Sequence, residues 1–233
     1  MKLDILVFGA HPDDVELGCA GTILKHIKQG LKVGIIDFTK GELGTRGTSE
    51  TRTEETENAT KILGVKMREN MGFKDGFFQN DESHKLELIK KIRQYRPEIV
   101  ITNAPSDRHP DHGKASNLTI ESCFLAGLEK IETGQEVWRP KHIYHYIQFN
   151  TILPDFVVDI SDEMERKIES IICYKTQFYN PDSTETETII SSADFLESVR
   201  YRAMDLGRQS DCKYAEGFIT NQTLKVNSLK DLI

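Results

Sequence analysis

The sequence predicts an α/β fold with a mostly parallel, doubly wound sheet of the Rossmann-like, three-layer kind. Three observations carry this. Short apolar, β-branched runs alternate with segments of helical spacing, the mark of successive βαβ units. No internal repeat or low-complexity linker interrupts the alternation. The chain of 233 residues is 38% hydrophobic and 29% charged, ordinary values for a globular protein. At this length, folding buries roughly 70–75% of the unfolded surface, enough to need neither disulfides nor a structural metal. One domain over residues 1–233 is the expected organisation.

The elements follow in order. Leu3 to Phe8 reads as a buried first strand rather than a signal peptide, since no small-residue cleavage site follows. Gly21 to Gln29 has helical spacing at Ile23, Leu24 and Ile27, with Gly30 placed to end it. Val33 to Phe38 is a second strand, and the Gly- and Thr-rich Thr39 to Thr48 a loop. Ser49 to Leu63 is a charged helix with Ser49 as its N-cap. Arg52, three positions on, denies it a full capping box, and Gly64 stops it. A short strand over Lys66 to Asn70 and a helix over Leu86 to Tyr95 follow, the latter ended by Arg96-Pro97. Glu98 to Thr102 is the fourth strand, followed by a helix from about His112 to Lys130. Beyond Trp138, His142 to Gln148 and Phe156 to Asp159 read as strands, and Glu163 to Tyr174 and Ala193 to Gly207 as helices. Asn180 to Thr188 reads as a loop.

Charge and composition exclude several function classes. With 30 Lys+Arg against 37 Asp+Glu the net charge is −7, and the pI near 5.6 gives no positive field for nucleic acid or a membrane surface. No run approaches the ~20 apolar residues of a transmembrane helix. Cys19, Cys123, Cys173 and Cys212 stand far apart without a CxxC pair, as expected of reduced thiols in the cytoplasm. The acceptor-like Asn58, Asn117 and Asn221 then carry no glycan.

The first and fourth strands end in Ala10-His11-Pro12-Asp13-Asp14 and Arg108-His109-Pro110-Asp111-His112, one His-Pro-Asp motif used twice. In a sheet ordered 3-2-1-4 these strands are neighbours, and the crevice at their carboxyl ends is the usual ligand site. A single such segment can be no more than a helix N-cap, since Asp is favoured there and Pro is tolerated at N1. Two of them on adjacent strands point to a metal. A catalytic zinc takes three protein N/O ligands and keeps one position open. His11 and Asp14 converge if a helix starts between them, and His112 reaches across from the other loop. Asp13 leaves the backbone in another direction, beside the metal, as a general base. His109 is spare and suits an acid or supporting role, with Asp111 a candidate to orient its ring. A nucleotide site does not fit: Gly9 to Gly21 lacks G-x-G-x-x-G, and Asp13-Asp14 would repel a pyrophosphate.

These paired motifs resemble the LmbE-like (PIG-L) zinc-dependent N-deacetylases, from the first strand to about Phe218. Leu206-Gly207-Arg208 and Tyr214-Ala215-Glu216-Gly217-Phe218 resemble the branch that makes bacillithiol by deacetylating N-acetylglucosaminyl-malate. The resemblance implies one Zn2+ per subunit (another divalent metal being an alternative) on His11, Asp14 and His112. It implies Asp13 as base, His109 as the electrostatic or acid group, and Arg52 as a substrate contact. It also implies a homo-oligomer, with a hexamer as one form. Some relatives place a tyrosine over the scissile carbonyl where this chain has Phe195. Arg46 and Arg108 are further candidates to grip an anionic substrate, because a guanidinium matches a carboxylate. Alternatives are another acetamido sugar, a thiol-conjugate amidase activity, or a non-catalytic metal- or sugar-binding module, in which Asp13 would have no use. Asp37 reads as strand-end structure, Gln177 as a pocket-mouth residue, Phe178 as core, and Trp138, His142 and His145 as packing or surface residues.

Overall fold

The computed structural model describes residues 1–232. Seven strands form one sheet in the order β3-β2-β1-β4-β5-β7-β6. In chain order the strands are β1 (Ile5–Gly9), β2 (Val33–Thr39), β3 (Met67–Phe73), β4 (Ile99–Asn103), β5 (His142–Tyr146), β6 (Phe156–Asp159) and β7 (Ala215–Thr220). The helices are α1 (Asp14–Lys28), α2 (Ser49–Leu63), α3 (Glu82–Tyr95), α4 (Pro110–Ala126), α5 (Met164–Ile171) and α6 (Ala193–Arg208). Strands β1 to β5 pair parallel, in the expected 3-2-1-4 order with β5 beyond. β7 inserts antiparallel between β5 and β6.

Successive side chains of a strand face opposite ways, so β1 divides the core. Leu6 and Phe8 join Ile89, Ile92 and Leu118 from α3 and α4 on one face. Ile5 and Val7 join Val15 and Ile23 from α1 on the other. A third cluster (Leu17, Met164, Tyr174, Phe178, Val199) seats α5 and α6 beside α1. Phe178 is core, as the sequence suggests.

Several boundaries differ from the sequence expectations. α1 starts at Asp14, seven residues before the expected Gly21, because Asp14 to Leu24 is buried on all sides and shows no apolar stripe. The N-cap of α2 is Thr48, not Ser49. Thr51 at N3 supplies the reciprocal partner, with Thr51 N to Thr48 Oγ1 at 3.2 Å and Thr48 N to Thr51 Oγ1 at 2.8 Å, so a capping box does form. α3 begins at Glu82 because Asp81 caps it by accepting from His84 N (3.0 Å), although its first turn is polar throughout. α4 begins at Pro110, with His109 as N-cap and Pro110 in the first turn, and ends at Ala126 rather than near Lys130. α5 is shorter than Glu163 to Tyr174 at both ends. β7 had no counterpart in the sequence reading. Four cysteines are unbonded, Cys19 and Cys123 in the core. No helix among the described residues is long and apolar enough to cross a membrane.

Gly18 lies directly under the Tyr146 ring, where an added Cβ would enter the ring's van der Waals radius. Overpacking at a rigid aromatic costs roughly 1–3 kcal/mol. Gly18→Ala should lower the free energy of unfolding by that amount in a denaturant titration, and unchanged stability would mean that the α1–β5 contact is slack.

Candidate active site

The parallel strands all run the same way, so their carboxyl ends deliver loops to one end of the sheet. Asn103, the last residue of β4, ties the first two loops together. Its Oδ1 accepts from Ala10 N (3.0 Å) and its Nδ2 donates to Asp14 Oδ2 (3.1 Å). Asp14 also accepts from His11 N (2.9 Å) and from Gln148 Nε2 (2.7 Å), the latter just after β5.

Two imidazoles converge on that carboxylate. His11 Nδ1 lies 3.5 Å from Asp14 Oδ2, and His112 Nε2 lies 3.2 Å from Asp14 Oδ1. The far nitrogen of each ring is held by another carboxylate. His11 Nε2 donates to Asp75 Oδ1 (3.1 Å), with Asp111 Oδ2 at 3.5 Å, and His112 Nδ1 donates to Asp107 Oδ2 (2.8 Å). These contacts place a proton on His11 Nε2 and His112 Nδ1 and turn the other nitrogen of each ring towards Asp14, the carboxylate–histidine arrangement that orients metal ligands. The donor set therefore fits a divalent cation. Two groups among the described residues bring one donor atom per residue within 4.8 Å of one another, His11 with His109 and His112, and His11 with Asp75 and Asp111; neither includes Asp14.

Electrostatics agree. Burial opposes ionisation of Asp14, but the His112 charge and hydrogen bonds from both histidines hold its pKa well below the usual carboxylate range. Burial also disfavours charge on the histidines, yet the hydrogen bonds that His11 donates to Asp111, Asp14 and Asp75 raise it well above its ordinary value. The Asp14 charge and the Asp107 hydrogen bond bring His112 up to about 9. Without a cation, protons answer the excess of buried negative charge.

Asp13 caps α1 with φ 104°, a left-handed conformation that turns its side chain away from Asp14 and costs of order 1–3 kcal/mol in a non-glycine residue. Burial pushes its carboxyl up to about 7 against the opposing charge of Arg52, whose Nη1 lies 3.3 Å away. His109 accepts from Asp111 N at Nδ1 (3.2 Å), which leaves the proton on Nε2. Burial, then the charges of His11 and His112, lower its pKa, so it is a neutral donor at the cleft wall.

Asp111 does not orient the His109 ring with its carboxylate, contrary to the sequence expectation. That carboxylate points the other way, accepting from Gly76 N (2.8 Å) and Lys114 Nζ (2.9 Å) beside His11. The arginines also diverge. Arg52 is buried, pairs through Nη1 with Asp13, donates through Nη2 to the Pro12 carbonyl, and lies 5.7 Å over the Tyr174 ring, while its Nε finds no hydrogen-bond partner among the described residues. Arg46 turns out of the cleft to Ser183 Oγ (2.5 Å) and Glu185 (3.6 Å). Arg108 is exposed on the cleft wall, 4.7 Å over Phe149. Asp37 pairs with Arg68 (2.7 Å), in keeping with a structural role.

The sequence reading passed over Asp75, Asn103, Asp107 and Gln148. Asn103 and Gln148 stood where strands end, and Asp107 five residues before His112 in the same loop. Asp75, in the turn after β3, gave no local signal. The cleft holds about 370 Å³, with Leu43, Ile189, Phe149 and Phe195 on its walls and Gln177 beside them, as anticipated.

The family model described as "PIG-L: GlcNAc-PI de-N-acetylase" matches residues 6–123. The diacetylchitobiose deacetylase of Thermococcus kodakarensis is 30% identical over 225 residues, covering 91% of this chain and 81% of that protein. A probable N-acetyl-α-D-glucosaminyl L-malate deacetylase 2 of Bacillus anthracis is 25% identical, covering 75% and 81%. A conserved protein of Thermus thermophilus superposes with a TM-score of 0.88 at 34% identity, covering 97% and 98% of the two chains. The fold and site define an α/β protein of the LmbE-like deacetylase type. The chain belongs to the PIG-L de-N-acetylase family.

A cation entering this cluster must displace the proton on His112, and that on His11, because only neutral imidazole ligates. Without metal, His11 is raised well above its ordinary value, and His112 keeps its proton up to pH about 9. Affinity for Zn2+ should therefore rise as pH rises towards that value, about tenfold per unit for each proton displaced. Calorimetry in buffers of different ionisation enthalpy counts those protons, and a pH-independent affinity would place the metal elsewhere.

Proposed function

We propose that this chain is a metal-dependent hydrolase, with zinc the favoured ion, that removes the acetyl group of an N-acetylglucosamine moiety. The convergence of His11 Nδ1 and His112 Nε2 on Asp14, with Asp13 beside them, carries the reading. We place it in the cytoplasm as a homo-oligomer of single-domain subunits.

His11, Asp14 and His112 would hold the ion, which would supply Lewis acidity and lower the pKa of a water towards ~7. Asp13 takes the proton of the attacking water. A carboxyl near 7 is matched to that task at neutral pH, and Arg52 fixes its position. The Nε2–H of His109 donates to the oxygen on which charge develops. Loss of one such donor costs roughly 3–4 kcal/mol of barrier. The proton collected by Asp13 then returns to the leaving amine, with His109 the alternative donor. A pure binding module has no use for a buried, strained carboxylate beside its ligands.

Two substrates follow from different observations. N-acetylglucosaminyl-malate, the anionic candidate, has Arg108 as its exposed guanidinium, because Arg46 and Arg52 are engaged within the chain. The apolar walls at Phe149 and Phe195 favour instead a neutral second sugar ring, as in diacetylchitobiose, and the Thermococcus relative supports that reading.

Acetate release from both compounds by the zinc-loaded protein tests the proposal. Asp13→Asn should keep the metal while the rate on either falls by roughly 10²–10⁴. Near-normal turnover in that variant would end the general-base assignment, and no acetate from either compound with the parent would end the reading.

A further inference from the structure

The Tyr214-Ala215-Glu216-Gly217-Phe218 stretch singled out in the sequence has no part in the chemistry above, yet Glu216 is buried deep beside α1. That helix is not continuous. Cys19, at φ −148° and ψ 20°, breaks it between a short block at Asp14–Gly18 and the remainder from Ala20. A break exposes carbonyls on one side and N–H groups on the other, which need partners when buried.

Three side chains from three other elements supply them. Glu216, on β7, accepts from Gly21 N (3.0 Å) and Thr22 N (2.7 Å), a carboxylate at the start of the second block, where the helix dipole favours it. Lys167, on α5 and 2% exposed, donates to the Leu17 carbonyl (2.9 Å) and to Glu216 Oε1 (2.6 Å). Arg202, on α6, donates to the same Leu17 carbonyl (3.3 Å) and to the carbonyl of Gln148, whose amide holds Asp14. Gly18 and Gly21, on either side of the break, let Tyr146 and Ile160 pack against the backbone. The short block is thus clamped from both ends, and it carries Asp13 at its cap and Asp14 in its first turn.

We infer that Glu216, Lys167 and Arg202 are positioning residues: they hold the break in α1 so that Asp13 and Asp14 meet His11 and His112. This rests on the metal-hydrolase reading. Substrate does not touch the clamp, so its loss acts on metal affinity and kcat and leaves KM alone.

The test uses Glu216→Gln and Arg202→Met in the full chain, beside Ile92→Ala in the far α3 layer as a control for lost stability alone. Competition with a chelator, well below each thermal midpoint, should show zinc bound roughly 10- to 100-fold more weakly in both clamp variants, as for other residues behind metal ligands. kcat should fall with KM unchanged, Arg202→Lys should recover part of the loss, and Ile92→Ala should keep the parent affinity. The crystal structure of metal-free Arg202→Met should show Asp14 withdrawn from His112. Parent-like affinity and an unmoved Asp14 in folded clamp variants, or equal losses in the control, would overturn the inference. A parent that binds zinc but releases no acetate would overturn the proposed function while leaving the affinity comparison intact.

Discussion

The structure is organised around one buried carboxylate, Asp14. Burying an ionised carboxylate is costly unless hydrogen bonds and opposite charge compensate it. Here His11 N, Asn103 Nδ2 and Gln148 Nε2 donate to it, and two imidazoles face it. These partners come from the ends of β1, β4 and β5, so satisfying one residue fixes the relative positions of three loops. Asp75, after β3, extends the same logic by holding His11 on one oxygen and Leu43 N of the β2–α2 loop on the other (2.9 Å). Site and sheet end are one polar network, and removing any member leaves others buried without partners.

Such a network concentrates negative charge. Asp14, Asp75, Asp107 and Asp111 surround two histidines, and Glu16 and Asp37 lie behind them, shared by Arg68 (2.5 and 2.7 Å). Burial first, then the charges of Asp14 and Glu16, raise Asp13 against the opposing charge of Arg52. The same pairing explains why Arg52, despite lining the cleft, faces inward: Asp13 is a nearer and less hydrated partner than any substrate. The malate-gripping role that family resemblance implies for Arg52 is therefore proposed for Arg108.

What was legible in the sequence was what repeats or alternates. The paired His-Pro-Asp loops and the alternating apolar runs led to the order of β1 to β4, and adjacency of β1 and β4 brought His11, Asp14 and His112 together. Illegible features were those whose partners are remote. The first turns of α1 are buried all round, so no stripe marks them, and their break is stabilised from α5, α6 and β7. The Thr48–Thr51 box uses a threonine where Glu or Gln is the familiar signal. Asp75 and Asp107 declare themselves only when the histidine nitrogens they hold are seen. Arg46 carried the charge expected of a substrate contact, but Ser183, 137 positions away, and Glu185 beyond it claimed that charge.

His11, Asp14 and His112, rather than the three-histidine group that includes His109, are the proposed holders of the metal. Zinc content after equilibration with a defined excess, measured by elemental analysis on alanine variants of these four residues, tests this assignment most directly. His11→Ala, Asp14→Ala and His112→Ala should lose tightly bound zinc while His109→Ala keeps a full equivalent. Zinc retained by Asp14→Ala and lost by His109→Ala would contradict it.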